Sequence, residues 1–128
     1  MTEKPYKPIS DEKIESRLLE LPKEIFEAQN ETTLLKIDWL NAKLNYKRNL
    51  NLAIAQVKAE DMKRTQTDVM AIAEEKVADE VPKVIAAEMM FRNAQAKAEE
   101  LRNGLFVLSG VSNHRRASAF QQQSVRVK

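Results

Sequence analysis

The sequence predicts an all-α protein, in which long helices form an extended helical hairpin or bundle that oligomerises through coiled-coil-like packing. Only 2 Gly and 4 Pro occur in 128 residues, which disfavours a turn-rich sandwich or barrel. Ala, Glu, Lys and Leu dominate the composition, and these residues favour helices. Apolar residues recur every three or four positions along most of the chain, which is the period of an amphipathic helix.

The expected organisation is an arm, one helical domain and a tail. Residues 1–9 contain two prolines and are expected to be an extended arm. A single helical domain is expected over 10–120, followed by a polar, basic tail over 121–128. The domain contains five predicted helices, at about residues 11–21, 23–64, 68–80, 82–108 and 111–120.

Capping and breaking residues set these boundaries. Ser10 or Asp11 can cap the first helix, and Pro22 is expected to end it because a proline inside a helix removes a backbone donor. The stretch from Thr65 to Asp68 lacks apolar residues and is the best internal boundary, with Thr67 or Asp68 as the cap of the following helix.

The clearest periodicity is a heptad seam late in the chain. Its apolar residues are spaced 3, 4, 3, 4, 3, 4 and 3 apart, which predicts coiled-coil packing against a second copy. Gly104 falls inside this register, so the helix is expected to continue or kink there, whereas Ser109-Gly110 is expected to break it. The predicted oligomerisation residues are Val84, Ala87, Phe91, Ala94, Ala98, Leu101, Leu105 and Leu108.

The net charge of +2 hides a segregation of charge along the chain. Residues 1–35 carry a net charge of −3, 36–66 carry +4, 67–100 carry −4 and 101–128 carry +5. Alternating blocks suit contacts between segments or subunits, or two basic surfaces that bind an anionic polymer. Solvated helix faces of mixed sign are an equally open interpretation.

Several classes of function are disfavoured by what the sequence lacks. It has no Cys and one His, so we expect no metal site, no cofactor and no catalytic triad. No apolar run approaches the length of a membrane span, and the N-terminus has no hydrophobic signal region. We therefore expect a soluble, non-enzymatic protein of the cytoplasm, or of the host cytoplasm if a phage encodes it.

The strongest candidate site is a basic and aromatic helix. Trp39 and Tyr46 are seven positions apart and share a face, and Lys43 lies between them. Cations that follow phosphates and aromatic rings that stack on bases are typical of single-strand binding. Packing of both rings in a core or subunit contact is the favoured alternative for the aromatics. The candidate nucleic-acid-binding residues are Lys43, Lys47, Arg48, Lys58, Lys63, Arg64, Arg115 and Arg116.

Two stretches of the chain have short residue patterns that can be compared with a known family. The first contains Trp39-Leu40-Asn41, Lys47-Arg48, Ala55-Gln56, Lys58 and Arg64. The second runs from Ala98-Glu99-Glu100-Leu101 through Arg102-Asn103-Gly104-Leu105-Phe106 to the arginines that follow. These stretches resemble the UvsY-like phage recombination mediator family and together cover about half of the chain, whereas the region 68–82 shows no such similarity. The family's basic motif after the long helix is only partly kept, because Thr65-Gln66 replaces its more apolar continuation.

The resemblance implies a helical protein that binds single-stranded DNA and assembles as a ring-like homo-oligomer. It further implies that the protein helps load a RecA-like recombinase onto strands covered by single-strand-binding protein. A competing hypothesis is a coiled-coil structural or inhibitory protein, such as a virion adaptor or an anti-defence factor, whose charge blocks contact protein partners only.

Overall fold

The computed structural model describes residues 10–126, and the surroundings of side chains over residues 10–121. Three helices make up nearly all of this range: α1 (Asp11–Glu60), α2 (Gln66–Lys76) and α3 (Val81–Arg126). A single 3-10 turn, Ala78–Glu80, joins α2 to α3, and no strand occurs within residues 10–126. The all-α prediction is confirmed. The predicted arm over 1–9 lies outside the described residues.

Helix α1 runs through Pro22 without a break, so the predicted end of a first helix at this proline is wrong. Pro22 is exposed, whereas Leu21 and Ile25 on either side of it are buried. Arg17 also donates a hydrogen bond to Glu24 across the proline, at 2.8 Å. One continuous buried face therefore outweighs the loss of a single backbone hydrogen bond. The helix starts as predicted, with the Ser10 hydroxyl accepting from the Lys13 amide at 3.3 Å.

The boundary between α1 and α2 lies within the predicted region but uses a different cap. Helix α1 ends at Glu60, four residues before its predicted end. Thr65 caps α2 from an extended backbone conformation, and its hydroxyl accepts from the Asp68 amide at 3.2 Å. The predicted caps, Thr67 and Asp68, lie in the first turn of α2 instead, because Thr65 already satisfies the free amides there.

Helix α3 is also longer than predicted. It passes through Gly104, as expected, and then through Gly110, where a break was expected. Neither glycine adopts a positive φ, so neither acts as a helix-ending residue. The separate helix predicted over 111–120 is therefore part of α3, which extends to Arg126 and into the predicted tail. Pro82 stands in the first turn of α3, where its missing amide costs no hydrogen bond.

The chain divides into two compact units, where the sequence predicted one domain. The first unit joins the residues up to Gln29 with those from Lys97 onward. Within it, the start of α1 lies beside the later part of α3, and Arg115 donates to Asp11 at 2.6 Å. The buried residues of this unit are Ile14, Leu21, Ile25, Ala28 and Ala98.

The second unit comprises Asn30–Ala96. The later part of α1 packs against α2 and the start of α3, with Asn49 donating to Glu80 at 2.5 Å. A cluster of Ala53, Ala73 and Val77 forms the centre of this packing. Small buried residues allow the helices to approach closely, and Tyr46, Leu50 and Ile54 pack around the cluster.

Candidate nucleic-acid interface and exposed apolar faces

The middle of α1 presents cations that no acid neutralises. Between Asp38 and Glu60 this helix contains no acidic residue. Lys47 and Arg48 are exposed, and within the described part of the chain their side chains form no ion pair or hydrogen bond. They border a shallow groove of about 440 Å³, whose other lining residues are Leu44, Asn51 and Leu52. Unpaired cations of this kind are available to a polyanion.

The aromatic residues of this helix are committed to packing. The rings of Trp39 and Phe91 stack with their centroids 5.4 Å apart and their planes at 17°. The Lys43 ammonium lies 4.7 Å from the Trp39 ring centroid, and the Arg92 guanidinium lies 5.5 Å from it. Tyr46 packs against the second unit's core. These contacts favour the core interpretation of both rings over base stacking, and they give Lys43 a structural partner.

The basic residues at the α1–α2 turn are partly engaged with the turn itself. Arg64 donates to the Val57 carbonyl at 3.1 Å and forms an ion pair with Glu60 at 3.5 Å. Lys58 donates to the Arg64 carbonyl at 3.0 Å. The Lys63 side chain is exposed and has no such contact among the described residues. Arg64 is thus a structural residue of the turn, whereas Lys63 and the two remaining protons of Lys58 can reach an anion.

The two candidate residues from the basic block 101–128, Arg115 and Arg116, also differ in whether they are paired. Arg115 is held by Asp11 in the first unit, which neutralises its charge. Arg116 is exposed and borders a small groove of about 150 Å³ beside Asp11 and Glu15. The acidic neighbours make this part of the first unit a poorer site for a polyanion than the middle of α1.

The residues of the predicted heptad seam are partly covered by packing within the chain. Its eight residues are all buried or half-buried, with Phe91 stacked on Trp39. Leu101 and Leu108 line a groove together with Leu21 of the same unit. Packing inside each unit accounts for part of this spacing, and contact of the half-buried seam residues with a second copy stays a prediction. The spacing along one helix does not reveal which helix is its partner.

A second apolar face, on the outer side of α1, was not singled out from the sequence. Leu34, Ile37, Leu40 and Leu44 are all exposed, although they lie at helical spacing. Leu40 and Leu44 border an apolar groove of about 580 Å³, which also reaches Tyr46 and Val84. The signal was present in the sequence, because α1 carries more large apolar residues than one buried stripe of a helix accommodates.

The described residues contain no cluster of three His, Asp or Glu side chains that could hold a metal ion. Within the same part of the chain, no helix combines the length and the apolar character of a membrane span. No family model matches this sequence, and no curated protein or solved structure matches it either.

Proposed function

We propose that this chain is a non-enzymatic protein that binds single-stranded DNA and acts as a recombination mediator. The observation that carries this proposal is the pair of exposed, unpaired cations Lys47 and Arg48 on a stretch of α1 without acids. These residues lie in one of the stretches that resemble UvsY-like mediators. The phosphate backbone dominates the affinity of such proteins, so free cations on an exposed surface are what binding requires.

The proposed mechanism is electrostatic. A strand runs along α1, where Lys47 and Arg48 bind phosphates, and continues towards the turn, where Lys58 and Lys63 bind the next ones. Phosphate contacts carry no sequence information, so binding is independent of sequence. Because Trp39 and Tyr46 are packed, base stacking contributes little. The RecA-like recombinase and the single-strand-binding protein are proposed as further partners, on the resemblance alone.

The test is a titration of a labelled single-stranded oligonucleotide with the Lys47→Ala/Arg48→Ala variant. We expect the dissociation constant to rise by about tenfold, which corresponds to about 1.4 kcal/mol. The matched control is Lys13→Ala/Lys83→Ala, which removes the same charge from exposed positions that do not line the groove and should bind like the parent. Equal affinity of both variants would place the site elsewhere, and no binding by the parent protein would reject the proposal.

The second candidate is a helical protein that binds protein partners only, as a virion adaptor or an anti-defence factor would. The exposed apolar face of Leu34, Ile37, Leu40 and Leu44 favours this candidate, because contiguous exposed apolar surface marks sites of protein contact. If the parent protein fails to bind either single-stranded or duplex DNA at low salt, this function replaces the first.

A further inference from the structure

Three exposed apolar residues of α1 form a short seam at coiled-coil spacing in the second unit. Ile37, Leu40 and Leu44 are three and four positions apart, and each is between 43% and 59% exposed. Leu40 and Leu44 also line the apolar groove of about 580 Å³, to which Val84 of α3 contributes. We call these three residues the outer seam. Lys47 occupies the next seam position, so the apolar part covers about two turns of helix.

The charged residues that flank the outer seam are all positive. In a coiled coil, the residues at the flanking positions select a partner by charge. Here these positions hold Lys36 and Lys43 on one side, and Leu34, Asn41 and Arg48 on the other. The three cations are exposed and form no ion pair within the described part of the chain. Their charges are therefore available to a partner.

Carboxylates of the second unit do not replace such a partner. Asp38 is exposed, stands outside the flanking positions and forms no ion pair among the described residues. Glu88 of α3 forms an ion pair with Arg92 at 3.7 Å. The lining of the groove includes two lysines but no carboxylate. An occupant must therefore supply apolar side chains to the seam and acidic side chains at its own edges.

We propose that the outer seam and its groove bind an amphipathic helix of another protein, with large aliphatic residues on one side and Asp or Glu at both edges. A helix that lays its apolar side in a groove is a common mode of peptide recognition, and its anchors have this spacing. A second copy of the seam is disfavoured, because Lys43 would meet a lysine in antiparallel pairing and Arg48 in parallel pairing. The inference stands apart from DNA binding, and it gives the partner of the second candidate function a stated chemistry.

The charge of the partner is tested with two fluorescein-labelled helical peptides of about three heptads. Both have Leu at the seam positions and Ala and Gln on the outer side, but the acidic probe has Glu at every flanking position and the basic probe has Lys. The full chain should bind the acidic probe at least about tenfold more tightly, measured by fluorescence anisotropy. Lys36→Glu/Lys43→Glu should reverse this preference. Lys13→Glu/Lys23→Glu changes the net charge equally at exposed positions of the first unit and should retain it.

The apolar contact is tested with a variant that leaves every charge in place. Ile37→Gln/Leu40→Gln should weaken binding of the acidic probe at least about tenfold. The matched control is Leu19→Gln/Phe26→Gln, which removes two exposed apolar side chains from the first unit and should bind like the parent. An acidic peptide of the same composition in scrambled order should bind the parent no more tightly than it binds Ile37→Gln/Leu40→Gln. Circular dichroism checks that every variant is helical.

Three outcomes with the probes would overturn the inference. They are no binding of the acidic probe by the parent protein, equal binding of the two probes, and undiminished binding of the acidic probe by Ile37→Gln/Leu40→Gln. Sedimentation equilibrium of the chain alone tests the other occupant. If the parent protein self-associates and Ile37→Gln/Leu40→Gln does not, a second copy fills the seam and the inference is wrong.

The proposed DNA binding is judged separately, because Ile37→Gln/Leu40→Gln retains every candidate cation. If the parent protein binds single strands but not the acidic probe, this inference alone is rejected. If it binds the acidic probe but no single strand, only the proposed function fails.

Discussion

Trp39 and Phe91 come from different helices of the second unit, and their rings stack 5.4 Å apart. Phe91 is buried, Trp39 is half-buried, and the Trp39 ring also receives the cationic groups of Lys43 and Arg92. The indole nitrogen of Trp39 is enclosed without a hydrogen-bond partner among the described residues. This arrangement makes Trp39 a packing residue that joins α1 to α3, which is the role that the sequence analysis favoured over base stacking.

Trp39→Ala should therefore lower stability more than it lowers DNA affinity. Loss of the ring leaves a cavity beside Phe91 and should cost about 3 kcal/mol of unfolding free energy, the lower end of the range for large aromatics because Trp39 is half-buried. Urea denaturation measures this cost. Trp39→Phe, which keeps a ring on Phe91, should retain most of the stability. If Trp39→Ala were fully stable and bound DNA weakly, the ring would be a stacking residue after all.

Single-strand binding should weaken steeply with salt. Lys47, Arg48, Lys58 and Lys63 together allow about 4 phosphate contacts, which gives a slope of log affinity against log salt near −3, from about −0.7 per phosphate. Fluorescence anisotropy between low and physiological salt measures the slope. Lys47→Ala/Arg48→Ala should reduce it by about half. A slope near zero would mean that contacts other than phosphates dominate binding.

Pro22→Ala should stabilise the protein. The substitution restores an amide that can donate to the Leu18 carbonyl, and Pro22 is exposed, so no packing is lost. We expect a gain of up to about 3 kcal/mol in unfolding free energy, measured by urea denaturation. A loss of stability would show instead that the bend imposed by the proline is needed to bury Leu21 and Ile25.

The Arg17–Glu24 pair should make the stability of the folded protein more sensitive to acid. The hydrogen bond from the Arg17 guanidinium lowers the pKa of Glu24 below its ordinary value of 4.5. Desolvation opposes this shift, whereas the positive charges of Arg17 and Lys97 add to it. Since the folded pKa is the lower one, the stabilisation is complete above the ordinary value and is lost as pH falls through the folded value. Melting temperature against pH should thus fall less steeply on the acid side for Glu24→Gln than for the parent. If the curves of the parent and of Glu24→Gln were parallel, the pair would not contribute to the pH dependence of stability.

Gly104→Ala and Gly110→Ala should each stabilise α3. Both glycines are helical, and a Cβ built on either one meets no described atom within 4 Å beyond the adjoining backbone of its own helix. Alanine reduces the backbone entropy lost on folding, so each substitution should add about 0.5–1 kcal/mol, measured by thermal unfolding. If Gly104→Ala alone lowered the stability, the added methyl group would be meeting another group at the groove that residue 104 borders with Leu101 and Leu108.

Composition and periodicity predicted the helical class and the packed side of α3, because burial imposes its spacing on the sequence. They did not predict which of the helix-breaking residues interrupt a helix. Local propensity predicts a helix end at Pro22 and a break at Gly110, whereas the outcome depends on whether apolar residues continue on both sides. The pairing of Arg64 with Glu60 and of Arg115 with Asp11 could not be predicted either, because it depends on geometry that a count of charges omits.

The two units differ in how far apart along the chain their contacting residues lie. Asn49 and Glu80 are separated by 31 positions, whereas Asp11 and Arg115 are separated by 104. Closing the longer loop costs more entropy, so we expect Asn30–Ala96 to fold first. During translation the start of α1 leaves the ribosome first, yet its partner in α3 is made last. A nascent chain that stops before Lys97 therefore contains all of the second unit, while Ile14 and Leu21 of the first unit are still exposed to solvent.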